Sequence, residues 1–236
     1  MEARIIYMAD VFCPWCYGFG PIMKRLADEN PGLPVSVVGG DLISQPITLA
    51  QDFDANPGLV DFWRQVERTV GRSLAGAINA ALARKPVRLF SPGADEILAV
   101  LKALAPGHEL EQLLYLEDLF YLKGEDMFSQ EALDAAAAHW KIPAGKFEGA
   151  LDSEAAIAAT KRNLAEAAEL LGEAGSYPSV FVAKGSDVYA VSQGFVHYET
   201  AASRLATVLR GAGVEPVAHL GCSFAGDCTA GKGAAR

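Results

Sequence analysis

The stretch FCPWCYGFGP, residues 12–21, follows closely on the short apolar run RIIYM at residues 4–8. It holds two cysteines, Cys13 and Cys16, which are separated only by Pro14 and Trp15. A cysteine pair at this spacing binds a metal ion, packs passively in a core, or exchanges electrons. The rest of the sequence has to decide among these three roles.

The residues around the pair predict a strand followed by a helix. Residues 3–12 are apolar, β-branched and aromatic, which is typical of a buried strand. Apolar residues then recur at helical spacing through residues 22–27, and NPGLP at residues 30–34 ends the helix. Proline suits the first helical position, where its missing N–H has no partner to lose. This makes Cys13 the N-cap and Cys16 the third residue of the helix.

That placement has chemical consequences. A helix N-terminus offers unpaired N–H groups and a partial positive charge, which stabilise a thiolate at Cys13. Cys16, one turn further on, is placed to attack a mixed disulfide formed at Cys13. We therefore expect Cys13 to be the exposed, activated thiol and Cys16 the shielded, resolving one, with Pro14 and Trp15 tuning the pair.

Zinc binding and passive packing are the alternatives for this motif. Tetrahedral zinc takes four ligands, usually from two short pairs. The chain has four cysteines, but the other two, Cys222 and Cys228, are spaced C-x5-C in a distant Gly-rich tail. Redox chemistry is the favoured interpretation, and we expect no metal at Cys13 and Cys16.

Composition narrows the class of protein. The chain has 236 residues, 51% of them hydrophobic, and 29 acidic against 20 basic residues give a net charge of −9. Without any Lys/Arg run, this charge argues against nucleic acid as a partner. Apolar stretches are too short to span a membrane, and the N-terminus lacks the pattern of a signal peptide. We expect a cytoplasmic protein with no membrane partner, a compartment in which structural disulfides are rare.

A second signal lies far downstream. Residues 179–183 and 187–192 predict two strands joined by a tight turn, with Pro178 immediately before the first of them. Residues 198–213 then predict a helix that ends near Gly211. Upstream, PVSVVGGD at residues 34–41 predicts a further core strand.

This order of elements, with CPWC and SYPSVFV in place, resembles the thioredoxin fold. The long interval between the two parts is similar to DsbA-type proteins, and the motifs most resemble the cytoplasmic FrnE-like branch of predicted protein-disulfide isomerases. The resemblance implies an α/β fold with a large helical insertion between the second strand and a cis-proline strand. It also implies that Pro178 is cis and faces the cysteines, and that Tyr177 offers backbone to an extended substrate. We expect Phe12 to contact substrate as well.

The pattern suggests four segments: a first thioredoxin part (residues 1–47), a helical insertion (48–150), a second thioredoxin part (151–213) and a flexible tail (214–236). Within them we expect an irregular crossing at residues 42–58 and a helix N-cap at Ser129. A long helix after residue 153 should bury a stripe of four residues, namely Ile157, Leu164, Ala168 and Leu171. The insertion either caps the redox site or simply packs on the sheet.

The remaining chemistry-bearing residues are four histidines and the tail cysteines. His108, His139, His197 and His219 fall in no metal-binding pattern, so structural or surface roles are the default, although His197 could approach the active site. Cys222 and Cys228 are a candidate second redox pair. The alternatives for them are incidental thiols, or a metal site to which His219 would add a third ligand.

Together these features predict a thiol–disulfide oxidoreductase or isomerase that acts on protein disulfides or dithiols and needs no metal, flavin or nucleotide cofactor. Two rivals remain. A glutathione-dependent isomerase or transferase of the same superfamily would make glutathione a partner, although such enzymes typically carry serine at the nucleophile position. A non-catalytic binding or chaperone module would use the apolar surface of the insertion.

Overall fold

The computed structural model describes residues 3–172, 175–211, 216 and 218–219. Its strands are β1 (Ala3–Ala9), β2 (Val35–Gly39), β3 (Ile47–Thr48), β4 (Arg88–Leu89), β5 (Ser179–Lys184), β6 (Asp187–Gln193) and β7 (Ala218–His219). Its helices are α1 (Pro14–Glu29), α2 (Leu49–Ala55), α3 (Leu59–Val70), α4 (Ala75–Leu82), α5 (Ser91–Leu104), α6 (Glu109–Glu117), α7 (Gln130–His139), α8 (Ala144–Glu148), α9 (Glu154–Leu171) and α10 (Tyr198–Arg210). Helix α6 continues into a π-helical turn, Asp118–Leu122.

Five strands of the described chain form one mixed sheet in the order β2-β1-β5-β6-β7. Strand β1 runs parallel to β2, with Tyr7 opposite Val37, and antiparallel to β5, with Tyr7 opposite Val180. Strand β1, helix α1 and strand β2 form a strand–helix–strand unit. Strands β5 and β6 with helix α10 form a strand–strand–helix unit later in the chain. This is the predicted thioredoxin-type arrangement, with the helices of the insertion between β2 and β5.

Both faces of β1 are buried, as expected for a sheet covered by helices on each side. Residues Ile5, Tyr7 and Ala9 belong to the larger core, which α1 and most insertion helices share. Residues Ile6 and Met8 face the opposite way and belong to a smaller core with the last turns of α9. The alternation follows from the two-residue period of a strand.

The long helix α9 buries a different face from the one predicted. Its N-cap is Ser153, whose side chain accepts a hydrogen bond from the Ala156 N–H. The buried residues are Ala156, Thr160, Ala167 and Leu170, and Ile157 is 38% exposed, so the predicted stripe is wrong. Small residues on the inner face allow close packing on β2 and α5, which an Ile-centred face would not.

The segment expected to be an irregular crossing is more regular than its composition indicated. It contains β3, paired with β4, and the short helix α2. The Thr48 side chain accepts from the Gln51 N–H, and the Gln51 side chain accepts from the Thr48 N–H. This reciprocal capping box lets a seven-residue helix begin directly after a strand. The predicted cap at Ser129 begins α7.

Helices of the insertion pack against the thioredoxin part close to the cysteines. Phe120 lies edge-on to Phe12 at 5.1 Å between ring centroids, and Phe62 of α3 lies 6.4 Å from Trp15. Among the described helices, none combines the length and the apolar character needed to cross a bilayer.

Candidate active site

The two cysteines occupy the predicted positions at the start of α1. Cys13 is the N-cap with extended backbone angles, and Pro14 is the first helical residue. The Cys16 and Tyr17 N–H groups both donate to the Cys13 carbonyl, at 3.0 and 3.1 Å. No side-chain hydrogen bond caps this helix, so its positive end is not neutralised by a capping side chain. The N-terminus of α1 is therefore electrostatically suited to a thiolate.

The sulfurs differ in burial, but less than expected. Cys16 is fully buried, and Cys13, expected to be exposed, is itself only 6% exposed. Both are free thiols, joined by a side-chain hydrogen bond. Burial raises the pKa of Cys16 well above its usual range, and this hydrogen bond to Cys13 raises it further. The arrangement keeps a protonated Cys16 directed at the sulfur of Cys13.

The loop before β5 lies against Cys13. The Tyr177–Pro178 peptide bond is cis, and the Cys13 Sγ lies 3.8 Å from the Tyr177 carbonyl oxygen, to which the thiol donates. The Tyr177 hydroxyl accepts a hydrogen bond from the Asp41 N–H at 3.3 Å. Burial raises the pKa of Tyr177 to about 12, so its hydroxyl stays neutral. The structure thus brings together residues that are 164 positions apart in the sequence.

A surface groove of about 470 Å³ opens beside this loop, between Trp15 and the segment after β6. Its lining residues are Trp15, Thr69, Ser176, Tyr177, Gly194, Phe195, Val196 and His197. The Trp15 ring lies 5.4 Å from that of Phe195, and the Phe195 ring lies 5.5 Å from that of His197. His197, for which a structural or surface role was the default, is exposed here and lines the groove.

Phe12 does not face this groove. Its side chain is 3% exposed and packs edge-on against Phe120. The side chain is held in the core where the insertion meets the cysteine loop, and a contact of Phe12 with substrate stays a prediction.

Asp10 is a site residue that the sequence analysis did not identify. Its carboxylate accepts from the Phe12 N–H at 2.8 Å and from the Leu42 N–H at 2.9 Å, and Ser91 also donates to it. Burial raises the pKa of Asp10, and these three hydrogen bonds partly offset the rise. Asp10 thus ties the cysteine loop to the loop that carries Asp41.

Two further buried carboxyl groups were missed. Glu117 of α6 is fully buried, and burial raises its pKa well above the usual range. Asp95 of α5 is 2% exposed, and burial followed by the charge of Asp10 raises its pKa. A signal for Glu117 was available, because it shares the helical stripe of Leu110 and Leu113. A charged residue on an apolar stripe is unusual and favours a specific role.

The other candidates are not brought to this site. His108 and His139 lie in an aromatic cluster around Trp140, at 5.4 and 4.9 Å between ring centroids. Across the ranges that the structure describes, no three His, Cys, Asp or Glu side chains are grouped so as to hold a metal ion. Cys222 and Cys228 lie outside the described residues, and so does the side chain of His219.

Solved structures of similar fold are known. A protein disulfide isomerase candidate from Nitrosomonas europaea matches with a TM-score of 0.73 at 21% identity, covering 90% of this chain and 100% of its own. The cytosolic disulfide reductase DsbM from Pseudomonas aeruginosa, solved also with GSH, matches with a TM-score of 0.68 at 21% identity, covering 89% and 100%.

A 2-hydroxychromene-2-carboxylate isomerase matches with a TM-score of 0.61 at 13% identity, covering 88% of this chain and 98% of its own. No family model and no curated protein matches the chain. At these identities the likeness establishes the fold, which is that of the DsbA-like thioredoxin proteins.

Proposed function

We propose that this chain of DsbA-like fold is a thiol–disulfide oxidoreductase or isomerase of the FrnE-like type, acting through the Cys13–Cys16 dithiol. The observation that carries the proposal is the position of the Cys13 sulfur. It lies at the N-terminus of α1, 3.8 Å from the Tyr177 carbonyl oxygen, with the buried thiol of Cys16 hydrogen-bonded behind it. In such an environment one thiol of a pair is activated as the nucleophile, and the other stays protonated until it attacks the mixed disulfide.

The proposed reaction has two exchanges. The Cys13 thiolate attacks one sulfur of a substrate disulfide, forming the Cys13–substrate bond and releasing the other substrate sulfur as a thiolate. Cys16 then loses its proton and attacks the Cys13 sulfur, which forms the Cys13–Cys16 disulfide and releases the second substrate thiolate. The substrate gains the two electrons that the protein dithiol loses. The same steps in reverse oxidise a substrate dithiol, and a substrate thiolate that attacks again within the mixed disulfide gives isomerisation.

The groove favours a protein substrate. Its surface beside Cys13 is largely aromatic and apolar, and the nearby side chain of Phe62 is 40% exposed. A polypeptide in extended form can bind through its backbone at the Ser176–Tyr177 loop and place apolar side chains against Trp15 and Phe195. We infer that Tyr177 and Pro178 form the docking edge, with Trp15 as the neighbouring wall.

Glutathione is the alternative partner, because the neighbour DsbM has been solved with GSH. Glutathione carries two carboxylates and one ammonium group. The residues that line the groove include no lysine or arginine, and His197 is the one side chain among them that can become cationic. This chemistry favours the protein substrate over the charged tripeptide and over the glutathione-dependent isomerase reaction.

We further propose that residues 48–150 form a cap on a thioredoxin unit made of residues 1–47 and 151–213. The support comes from the aromatic contacts of Phe62 and Phe120 beside the motif. A cytoplasmic location is proposed from the sequence, and the same holds for the absence of nucleic-acid and membrane partners.

Trapping tests the function directly. The reduced Cys16→Ser variant should accumulate a mixed disulfide with denatured protein substrates offered as their disulfides, and Cys13→Ser should not. The wild-type protein should catalyse the reduction of insulin by dithiothreitol. If both single variants trap equally, the assignment of roles is wrong. If the wild-type protein neither reduces insulin nor forms adducts, the binding-module alternative replaces the enzyme. A protein that turns over glutathione mixed disulfides but not insulin would support the glutathione-dependent alternative.

A further inference from the structure

Asp95 of α5 is a buried carboxyl group that lies against the end of β2. It is 2% exposed, and its Oδ2 atom has no hydrogen-bond partner within the described part of the chain. A Cβ placed on Gly39 would overlap both oxygens of this carboxyl group, so the group rests directly on the backbone of β2. Burying an unpaired carboxyl group destabilises a fold, and an apolar side chain would be the better structural choice. The position calls for a chemical explanation.

Ser91 joins Asp95 to a second buried carboxyl group, that of Asp10. Ser91 precedes Asp95 by four residues, so the two lie on one face of α5, about 5–6 Å apart between Cβ atoms. The Ser91 hydroxyl donates to the Asp10 carboxylate and accepts from the Ile43 N–H at 2.9 Å. The Ser91 N–H donates to the Ile43 carbonyl oxygen, also at 2.9 Å. Asp10 and Asp95 therefore belong to one buried polar cluster around residues 39–43.

The same short segment, residues 39–43, also holds the docking edge. A Cβ placed on Gly40 would lie 2.7 Å from Tyr177 Cζ, so the tyrosine ring packs on the bare backbone of this segment. The Tyr177 hydroxyl accepts from the Asp41 N–H, and the Tyr177 carbonyl oxygen accepts from the Cys13 thiol. A shift of residues 39–43 therefore moves Tyr177 relative to the Cys13 sulfur.

The hydrogen bonds of the cluster favour one negative charge rather than two. Asp10 accepts from two backbone N–H groups and from the Ser91 hydroxyl, which suits a carboxylate. Asp95 has an unpartnered oxygen, and burial followed by the charge of Asp10 raises its pKa well above the ordinary aspartate range. Tyr177, which also faces the cluster, stays neutral because burial raises its pKa to about 12. The proton of the pair therefore resides on Asp95.

Few charged groups surround Asp95. Asp10 and Asp41 add negative charge, and Lys102, two turns further along α5, is the cation that favours the ionised form. Lys102 Nζ lies 2.9 Å from a Glu109 carboxylate oxygen and donates to a backbone carbonyl of β2, so its charge is shared. Helices α6, α8 and α9 also pack on α5, and within the described ranges no charged side chain of theirs acts on Asp95 directly. A charge on Asp95 would therefore be poorly compensated.

We propose that Asp95 is a proton-operated switch of the docking edge. With its proton it keeps residues 39–43 and Tyr177 in place beside Cys13, and without the proton these residues are displaced and substrate binding weakens. The inference rests on the proposed function, since it concerns the edge at which a polypeptide substrate would dock. Substrate binding and protonation of Asp95 then favour each other, so that a rising pH releases bound substrate.

The displacement follows from where the second charge would lie. An ionised Asp95 places a carboxylate against the Gly39 backbone and beside the Asp10 carboxylate, with no donor for its Oδ2 atom. Strand β1 and helix α5 are fixed in the core, whereas residues 41–42 are exposed and can move. Movement of this loop admits water to the two carboxylates, and it carries the Tyr177 ring away from its resting position.

Binding of an unreactive substrate tests the proposal without thiol chemistry. The probe is insulin B chain, alkylated with iodoacetamide and labelled with a rhodamine whose emission does not change with pH. The protein carries Cys13→Ser and Cys16→Ser, so that no thiolate titrates at the site. Fluorescence anisotropy gives the Kd across the pH range in which the protein stays folded. The Kd should rise about tenfold as Asp95 ionises, which corresponds to a shift of about one unit in its pKa on binding.

Three further variants are compared in that background, and because the peptide titrates identically with each, differences report the protein. Asp95→Asn should keep the low-pH Kd at every pH, because an amide carries no charge. Glu117→Gln is the matched control and should leave the pH dependence unchanged. Glu117 is also fully buried with unpartnered oxygens among the described residues, but its main charged neighbour is Arg72. Lys102→Gln removes the cation that favours ionised Asp95, and should move the rise in Kd to higher pH.

The inference is overturned if the Kd does not change with pH, if Asp95→Asn keeps the pH dependence, or if Glu117→Gln abolishes it as well. If Asp95→Asn does not fold, Lys102→Gln decides, because a rise in Kd that stays at the same pH contradicts the assignment to Asp95. Absence of binding at every pH, together with no reduction of insulin by wild type, is a different result. It would refute the proposed function, on which the inference rests.

Discussion

Replacing Asp10 with asparagine should loosen both loops that flank Cys13. The Asp10 carboxylate accepts from Phe12 N–H with one oxygen and from Leu42 N–H with the other, at 2.8 and 2.9 Å. An asparagine keeps one carbonyl oxygen and turns an NH₂ group toward the other N–H. The perturbation therefore removes one hydrogen bond and leaves a buried donor facing a donor.

The magnitude follows from these contacts. Losing one such hydrogen bond costs about 1 kcal/mol, and an unsatisfied buried donor costs about 1–3 kcal/mol more. Removing the charge relieves repulsion with Asp41 and Asp95, which offsets part of this loss. We expect a net destabilisation of about 2 kcal/mol, together with a several-fold slower attack by Cys13, because the loop that orients it is less fixed.

Urea unfolding followed by tryptophan fluorescence measures the first effect. The rate at which Cys13 releases nitrothiophenolate from dithiobis(nitrobenzoate), in a protein whose Cys222 and Cys228 are replaced by serine, measures the second. Asp41→Asn is the control, because Asp41 is exposed and its N–H bond to Tyr177 is kept. It should change the free energy of unfolding by less than about 0.5 kcal/mol. An Asp10→Asn variant with the unfolding midpoint of wild type would refute the argument that this carboxylate holds the two loops.

Three further predictions concern packing, pH and redox tuning. Gly18→Ala should destabilise the fold by about 1–3 kcal/mol in urea unfolding, because the added methyl overlaps the Val70 side chain, whereas Gly32→Ala meets nothing within 4 Å and should have little effect. The raised pKa of Asp95 means that the folded state binds more protons than the unfolded state, so the free energy of unfolding should fall as pH rises above the ordinary aspartate value of 3.8. Asp95→Asn should flatten this fall in unfolding curves recorded as a function of pH, and an unchanged slope would count against the burial argument. Trp15→His should make the dithiol more oxidising by about 30 mV, since a histidine can donate to the thiolate or carry charge where the indole offers one donor; equal potentials would remove Trp15 from the tuning residues.

The elements that the sequence predicted well are those whose signal is local. The Cys13 cap, the ends of α1 and the β5–β6 hairpin depend on Pro14, the NPGLP stop and a short turn, and each of these signals lies within a few residues of the feature that it determines. That the Tyr177 loop lies next to Cys13 could be predicted only from the resemblance to a known fold. No local sequence pattern links two segments that are so far apart in the chain.

The errors have a common physical origin in long-range packing. The buried face of α9 was misplaced because small residues face the sheet, and hydrophobicity alone favours Ile157 over Ala156. Asp10 and Glu117 were missed because whether a carboxyl group is buried, and what surrounds it, depends on elements that are distant in the sequence.

The reduction potential of the Cys13–Cys16 pair tests the central claim most directly. It is measured by equilibrating the protein with glutathione buffers of known ratio and quantifying the dithiol by alkylation and mass spectrometry, with Cys222 and Cys228 replaced by serine so that one pair is observed. The account predicts a single two-electron transition between about −270 and −120 mV, the range spanned by thioredoxin and DsbA. A pair that stays reduced across all the buffers, or cysteines that only form separate glutathione adducts, would contradict it.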